Sequence, residues 1–281
     1  MDSRYAWVHE AGKGETVLCL HSSTSSHKQW LPLAERLAGR FRVVAVDLSG
    51  QGRMTWPSRG GDALEEDLQL LETVAAEEPL HLVGHSYGGA VALRFALRHA
   101  RRVRSLALYE PAAWSLLPDA EIVERARFIA GALEAGDRHA AACAFVDFWN
   151  GAGSWQRLPE FHRERLAAQV PQVVAHFTAL FADRTAPRDY ASLSMPALVL
   201  CGTSGPACGP RIARLLAGAL QRAELRAFPG LGHMGPVRSP EAVNPALERF
   251  LLRIPRSADA RASRPARRPG GSGRIAAGSR A

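Results

Sequence analysis

The chain has 281 residues, of which 47% are hydrophobic and 22% are charged. A chain of this length can bury a core that folds without disulfides or metal ions, and this composition excludes a disordered or collagen-like protein. The longest apolar runs are far shorter than the roughly 20 residues that cross a membrane, and the first ten residues do not resemble a secretion signal. We therefore expect a cytoplasmic protein that is not associated with a membrane.

The formal net charge is +8, and six of these charges lie in the segment 255–281, which has seven arginines and one aspartate. The rest of the chain is nearly neutral, which does not indicate a nucleic-acid-binding face. The segment is rich in Arg, Ala, Pro, Gly and Ser and lacks apolar periodicity, so we expect a disordered Arg-rich tail. Such a tail is either a solvated terminus or an arm that binds a polyanion.

Strand-sized apolar runs alternate with amphipathic helical patterns along most of the chain. The predicted strands are Val17–Leu20, Val43–Val46, His81–Val83, Leu106–Tyr109, Leu198–Cys201 and Leu225–Phe228. The predicted helices between them are Trp30–Ala38, Leu64–Ala76, Gly88–Arg98, Arg211–Ala219 and Glu241–Leu252. Several strands are apolar on both faces, as in a buried parallel sheet. The alternation predicts an α/β fold with a mostly parallel sheet flanked by helices.

One long stretch, residues 111–195, contains no clear strand. Its helical patterns are Asp119–Leu133, Arg138–Trp149, Pro159–Gln169 and Gln172–Ala182. A single crossover between two strands needs far fewer residues, so we predict a helical cap inserted after the strand that ends at Glu110. Residues 1–110 and 196–254 would then form the core domain. The alternative is a set of ordinary crossover helices.

The segment Gly84-His85-Ser86-Tyr87-Gly88-Gly89 follows a predicted strand and opens a predicted helix. The pattern G-x-S-x-G in this context is typical of a nucleophile elbow. Glycine is needed two residues before and after Ser86 because side chains there would collide with the neighbouring strand and helix. The turn holds the Ser86 hydroxyl at a helix N-terminus, which favours developing negative charge. We interpret Ser86 as a nucleophile; the alternative is a structural serine.

A serine hydroxyl is a poor nucleophile unless a base takes its proton. His233 lies in a glycine-rich segment just after the last predicted strand, so we expect it at the same edge of the sheet as Ser86. Its position near the end of the chain also fits the order serine, acid, histidine. We therefore predict that His233 is the base; the alternative is a structural loop histidine.

A tetrahedral oxyanion needs backbone N–H donors, each worth about 3 kcal/mol when removed. The residue after the nucleophile, Tyr87, would supply one donor. The second would come from the serine-rich loop after the first predicted strand, where Ser23 is the first candidate and Ser22 the next. This loop could equally serve to cap the helix that starts near Trp30.

These motifs, together with His21-Ser22-Ser23, Asp47-Leu48-Ser49-Gly50-Gln51-Gly52 and Gly232-His233-Met234, resemble the α/β-hydrolase superfamily over roughly Val8 to Leu252. The resemblance implies a helical cap over the active site and cleavage of esters, thioesters, amides or carbon–carbon bonds; some similar frames act as perhydrolases. Relatives often have His-Gly where this chain has His21-Ser22, which adds a side chain near the oxyanion donors.

Relatives usually carry an aspartate after the strand predicted at Leu198–Cys201, but no Asp or Glu occurs from Tyr190 to Ala223. Glu110, at the end of the strand that follows the nucleophile helix, is the best substitute. Some haloalkane dehalogenases, which this chain resembles, place their acid at that strand end, although they use Asp as the nucleophile. The resemblance therefore implies that Glu110 orients His233. The alternative is a strand-end carboxylate that binds nearby loops.

We expect the substrate pocket between the elbow and the cap, and its candidate residues are Ser22, Trp30, Trp114, Trp149 and Met234. We predict a serine hydrolase that cleaves an ester, thioester or related acyl bond of a small apolar substrate. The alternatives are a non-catalytic binding protein of the same fold, or a cofactor-free perhydrolase or lyase. No Walker loop, G-x-G-x-x-G or H-E-x-x-H motif indicates a cofactor or a metal. The expected partner is a small molecule, and the sequence leaves the oligomeric state open.

Overall fold

The computed structural model describes residues 5–54, 61–75, 78–256 and 271–276. Eight strands form one sheet: β1 (Tyr5–Ala11), β2 (Glu15–Leu20), β3 (Phe41–Val46), β4 (Leu80–His85), β5 (Val103–Tyr109), β6 (Ala197–Gly202), β7 (Ala223–Phe228) and β8 (Gly271–Ala276). Their order across the sheet is β7-β6-β5-β4-β2-β3-β1-β8. Strands β2 to β7 pair in parallel, whereas β1 is antiparallel to both neighbours. The predicted α/β class and mostly parallel sheet are confirmed.

Helices cover both faces of this sheet. They are α1 (Leu31–Leu37), α2 (Ala63–Val74), α3 (Tyr87–Arg98), α4 (Ala120–Glu134), α5 (Arg138–Asn150), α6 (Glu160–Ala182), α7 (Pro187–Tyr190), α8 (Cys208–Ala219), α9 (Gly235–Arg238) and α10 (Pro240–Arg253). None of the helices in the described residues has the length and apolarity needed to cross a bilayer.

The core consists of two apolar layers, one on each face of the sheet. Side chains alternate between the faces of a strand, so Leu18 and Leu20 of β2 join one layer while Val17 and Cys19 join the other. Every residue of β2, β4 and β6 is buried, because helices pack against both of their faces. This explains why apolar residues in these strands are consecutive, as in Val17–Leu20 and Ala197–Cys201, rather than at every second position.

The helical insertion, residues 111–195, lies between β5 and β6 and contains α4 to α7. The sequence predicts a break between Pro159–Gln169 and Gln172–Ala182, and this prediction is wrong: α6 is one helix that continues through Pro171. Proline in a helix costs about 3 kcal/mol because it lacks an N–H. The burial of Val170 and Val173 on either side, at about 1.5–3 kcal/mol each, offsets this cost.

The prediction of a disordered tail is wrong for six residues, which form β8 and pair antiparallel with β1. Without β8, one side of β1 would present unpaired backbone N–H and C=O groups at the edge of the sheet. Pairing with β8 provides hydrogen-bond partners for these groups. A hydrophobicity pattern does not reveal this strand, because the stabilisation comes from backbone hydrogen bonds. The rest of the predicted tail after residue 256 lies outside the described residues.

Candidate active site

The predicted site residues follow four different strands of the parallel part of the sheet. Ser86 follows β4, Glu110 follows β5, His233 follows β7, and the loop with Ser22 and Ser23 follows β2. The carboxyl ends of parallel strands lie at one edge of the sheet, where α/β proteins bind their ligands. The topology therefore brings together residues that are up to about 210 positions apart in the chain.

The elbow has the tight turn that its glycines predict. Ser86 has φ of 54° and ψ of −120°, and it is the N-cap of α3. A Cβ atom on Gly84 would lie 2.7 Å from the carbonyl oxygen of Gly88, and one on Gly88 would lie 2.4 Å from the carbonyl oxygen of His21. The expected collision is thus confirmed, and only glycine allows strand, helix and loop to approach this closely.

Backbone strain in the described residues is concentrated at this edge. The non-glycine residues with positive φ are Thr24 at 62°, Ser86 at 54° and Glu110 at 39°. Each such conformation costs on the order of 1–3 kcal/mol and persists only where the surroundings enforce it. All three belong to, or adjoin, the predicted site residues. Strain of this kind is typical of sites whose geometry serves function rather than stability.

Ser86, His233 and Glu110 form a continuous hydrogen-bonded chain. The Oγ atom of Ser86 lies 3.0 Å from Nε2 of His233, and Nδ1 of His233 lies 2.7 Å from Oε2 of Glu110. A carboxylate only accepts hydrogen bonds, so Nδ1 carries the proton and Nε2 is left to accept the Ser86 hydroxyl. His233 and Glu110 are 4% and 5% exposed, so water does not compete for their contact.

The surroundings of Glu110 explain how it reaches His233. Its second carboxylate oxygen, Oε1, accepts a hydrogen bond of 2.8 Å from the backbone N–H of Gly202 at the end of β6. Gly209, at the start of α8, leaves room for the carboxylate, because a Cβ atom there would lie 2.6 Å from Oε2. Glu110 thus occupies space next to the loop in which relatives usually carry an aspartate.

The two predicted oxyanion donors also lie at this edge. Within the described part of the chain, the backbone N–H groups of Ser23 and Tyr87 donate no hydrogen bond to any other residue. Tyr87 begins α3, so its N–H is one of the unpaired donors that every helix leaves at its start. Ser22 is fixed beside them, since its backbone N–H and hydroxyl both approach Oε1 of Gln29 at 3.2 and 3.3 Å.

His176 is a site residue that the sequence did not reveal. It lies in α6 of the helical insertion, and its Nδ1 is 2.8 Å from the hydroxyl of Ser23. Its ring also stacks on the ring of Tyr87, with centroids 3.6 Å apart. Burial lowers the pKa of His176 to about 3, so the ring is neutral at pH 7. A histidine in the middle of a helical pattern carries no sign of these contacts, which arise only when the insertion packs on the core.

A second unpredicted contact links the loops that carry His233 and Ser22. Nε2 of His85 lies 2.9 Å from the backbone carbonyl oxygen of His233, and Nδ1 lies 3.1 Å from Nε2 of Gln29. Gln29 in turn holds Ser22. Burial of the ring, and to a smaller extent repulsion from His233 when that ring is protonated, keep the pKa of His85 well below its usual value. His85 is therefore neutral and connects the two loops through hydrogen bonds.

The Tyr87 side chain is also fixed at its hydroxyl group. Its hydroxyl donates a hydrogen bond of 2.8 Å to Asp67, whose other oxygen accepts one of 2.7 Å from the backbone N–H of Ser49. Burial raises the pKa of Asp67 to about 6, and the two hydrogen bonds oppose this shift. The residue after Ser86 is therefore fixed on its face by His176 and at its hydroxyl by Asp67.

A cavity of about 480 Å³ opens above Ser86 and is bounded by the loop after β2, the helical insertion and the segment after His233. Four of the five predicted pocket residues line it: Ser22, Trp114, Trp149 and Met234. Trp149 stacks on the His233 ring with centroids 4.1 Å apart. The prediction for Trp30 is wrong, because this side chain is fully buried in the apolar layer on the other face of the sheet. The turn before α1 points its large apolar ring inward, where burial is most favourable.

The chain matches the model of the alpha/beta hydrolase family over residues 17–246. It therefore belongs to the α/β-hydrolase family, as the sequence motifs predict. The solved structure of a thermophilic esterase from Thermogutta terrifontis has a TM-score of 0.71 and 26% identity, covering 88% of this chain and 93% of that chain.

Two curated relatives are similar to parts of the chain. It is 30% identical over 259 residues to a dihydrolipoyllysine-residue acetyltransferase component of an acetoin cleaving system from Pseudomonas putida, which covers 87% of this chain and 66% of that protein. It is 34% identical over 106 residues to a fluoroacetate dehalogenase from a Burkholderia species, covering 35% of each. The chain spans only 29% of the length of the Cupriavidus necator counterpart of the acetyltransferase component.

Proposed function

We propose that this protein is a serine hydrolase that cleaves an ester, thioester or related acyl bond of a small substrate through an acyl-enzyme on Ser86. The observation that carries the proposal is the hydrogen-bonded chain from Ser86 through His233 to Glu110 at the floor of a cavity. The Burkholderia dehalogenase relative does not extend dehalogenation to this chain, because dehalogenases that resemble it use an aspartate where Ser86 stands.

In the first half of the reaction, the Oγ atom of Ser86 attacks the carbonyl carbon and its proton moves to Nε2 of His233. Glu110 holds the ring in the required tautomer and stabilises the imidazolium. The N–H groups of Ser23 and Tyr87 hold the negative oxygen. When the tetrahedral intermediate collapses, His233 returns the proton to the leaving group, which departs as an alcohol or thiol and leaves the acyl group on Ser86.

In the second half, water attacks the acyl-enzyme while His233 accepts a proton from it. Collapse of the second tetrahedral intermediate breaks the bond to Oγ, and His233 reprotonates Ser86 as the acid leaves. We infer that the helical insertion, residues 111–195, acts as the cap of this site. Trp149 supports this role, since its ring covers His233 and excludes water from the imidazolium.

His176 would act as a positioning residue in this scheme. Its hydrogen bond to the Ser23 side chain and its stacking on Tyr87 connect one helix of the insertion to both oxyanion donors. A displacement of either donor by 1 Å would weaken its hydrogen bond to the oxyanion substantially. The insertion would therefore influence the rate of acylation as well as substrate binding.

The proposal is tested with a fluorophosphonate probe and a p-nitrophenyl ester. We expect the probe to label Ser86 stoichiometrically, as mass spectrometry of the labelled peptide would establish. The Ser86→Ala variant should lose both labelling and at least about 10⁴-fold in kcat. Ser192→Ala, at an exposed site in the loop before β6, is the matched control and should keep both. An unlabelled wild-type protein that hydrolyses no ester would favour the non-catalytic binding protein, and labelling without hydrolysis would favour a perhydrolase or lyase.

A further inference from the structure

The cavity above Ser86 has two chemically different zones. Its inner wall is formed largely by apolar side chains of the insertion, among them Phe145, Leu158, Phe177 and Leu180. Such a wall binds an aliphatic or aromatic part of a ligand but supplies nothing that recognises a charge. The volume of about 480 Å³ suits a single small molecule.

The outer zone carries charge of one sign only. Lys28, Arg165 and Arg238 line the cavity, and all three are exposed. They come from three separate elements: the turn before α1, helix α6 and the end of α9. Among the described residues, no Asp or Glu lines the cavity. Three exposed cations therefore line the cavity, and no carboxylate among the described lining residues offsets their charge.

These three cations are available to a ligand. In the part of the chain that the structure describes, Lys28, Arg165 and Arg238 form no ion pair with a carboxylate. The carboxylate of the site, Glu110, is buried behind His233 and hydrogen-bonded to it, so it does not neutralise the mouth. By contrast, Glu164, next to Arg165 in the chain, is engaged by His139.

We propose that the substrate carries a carboxylate at the end remote from the bond that Ser86 attacks, and that Lys28, Arg165 and Arg238 bind this carboxylate. The inference rests on the proposed hydrolase function and narrows its substrate class. Like charges at the exposed positions of a low-dielectric cleft concentrate anions and orient them with the charge outward. The apolar part of such a substrate lies along the inner wall, and its carbonyl carbon lies over Ser86.

Two matched pairs of esters test this proposal and show on which side of the scissile bond the carboxylate lies. The acyl pair is mono-p-nitrophenyl adipate and p-nitrophenyl 6-methylheptanoate, in which an isopropyl group replaces the carboxylate. The alcohol pair is 4-(carboxymethyl)phenyl butyrate and 4-isobutylphenyl butyrate. In at least one pair we expect kcat/KM for the acid to exceed that of its neutral partner by about tenfold at low salt. This ratio should fall towards one as the ionic strength rises from about 20 mM to about 500 mM.

The charge-neutral variants Lys28→Gln, Arg165→Gln and Arg238→Gln should each lower the acid-to-neutral ratio about two- to fivefold, the range of an exposed ion pair. Arg163→Gln is the matched control: it removes the same charge from the same helix, but residues two apart on a helix point to different sides, and Arg163 does not line the cavity. It should leave the ratio unchanged.

The outcomes separate this inference from the proposed function. Hydrolysis of all four esters with acid-to-neutral ratios at or below one would overturn the inference alone. The same holds if Arg163→Gln lowers the ratio as much as Arg165→Gln does, since the effect would then be one of net charge. Failure to hydrolyse any of the four esters would overturn the proposed function, and this inference with it.

Discussion

The substitution Glu110→Gln tests the most unusual part of the site, a carboxylate that comes from β5. Glutamine keeps the shape of Glu110 but has one oxygen and one NH₂ group. The backbone N–H of Gly202 points at Oε1, so the amide oxygen must stay there and the NH₂ group must face His233. The opposite orientation would place two donors against each other at 2.8 Å.

In this variant Nδ1 of His233 faces a donor, so it must become the acceptor and the proton moves to Nε2. The ring then cannot accept the proton of Ser86. In addition, the imidazolium of the transition state loses the attraction of a charge about 4 Å away, worth about 4 kcal/mol at an effective dielectric constant of 20. That energy alone corresponds to nearly 10³-fold in rate, and the wrong tautomer raises the expected loss in kcat to about 10⁴-fold.

The assay measures kcat with a p-nitrophenyl ester, and thermal melts monitor folding. Glu248→Gln is the matched control, because it makes the same chemical change in an exposed ion pair with Arg36. It should change kcat less than about twofold. A Glu110→Gln variant that folds like the wild type and retains kcat within about tenfold would refute the argument, since Glu110 would then be structural.

Three further predictions concern groups around the site. Gly209→Ala places a methyl group 2.6 Å from Glu110 Oε2, so the carboxylate must move away from His233 and kcat should fall about 10- to 100-fold, with the fold retained by circular dichroism. His176→Phe keeps the ring that stacks on Tyr87 but loses the hydrogen bond to Ser23, so kcat should fall about tenfold while KM changes little. Adding Ser23→Ala to this variant should cause no further loss of kcat; additive losses would contradict the proposed coupling of the two residues. Burial lowers the pKa values of His176 and His21 to about 3 and about 4, so the unfolded chain binds protons below about pH 6.5 that the folded protein does not. The two neutral histidines contribute fully to the free energy of unfolding above about pH 6.5, and this contribution falls by up to about 1.4 kcal/mol per histidine for each pH unit below it. A melting temperature that stays constant from about pH 7 to about pH 5 would contradict this prediction.

Local signals in the sequence were sufficient to predict six of the strands and the nucleophile elbow, but not β1 or β8. Short apolar runs locate β2 to β6, because the central residues of a strand covered on both faces are mostly apolar. β7 was located by the run Leu225–Phe228, although most of its side chains are exposed. The spacing of Gly84 and Gly88 around Ser86 follows from the close approach of three backbone segments, so the motif is tied to its geometry. The absence of an acid from Tyr190 to Ala223, together with the resemblance to haloalkane dehalogenases, indicates Glu110 as the substitute.

The structure decided the features that depend on contacts between distant segments. Pro171 does not end α6, because packing on both sides of it outweighs the lost hydrogen bond. Trp30 faces the opposite side of the sheet from the cavity, and His176 contacts Ser23, which lies 153 positions away in the sequence. No periodicity within one helix encodes which partner its side chains will meet.

The sequence by itself determined the fold class and the candidate nucleophile and base, because hydrophobic period and turn chemistry are local properties of the chain. Only the tertiary structure decided that the Glu110 carboxylate contacts His233, that Gly202 and Gly209 fix its position, and that three exposed cations line the cavity. The physical reason is that these arrangements require the ends of separate strands and helices to converge, and their positions are set by the packing of the whole sheet.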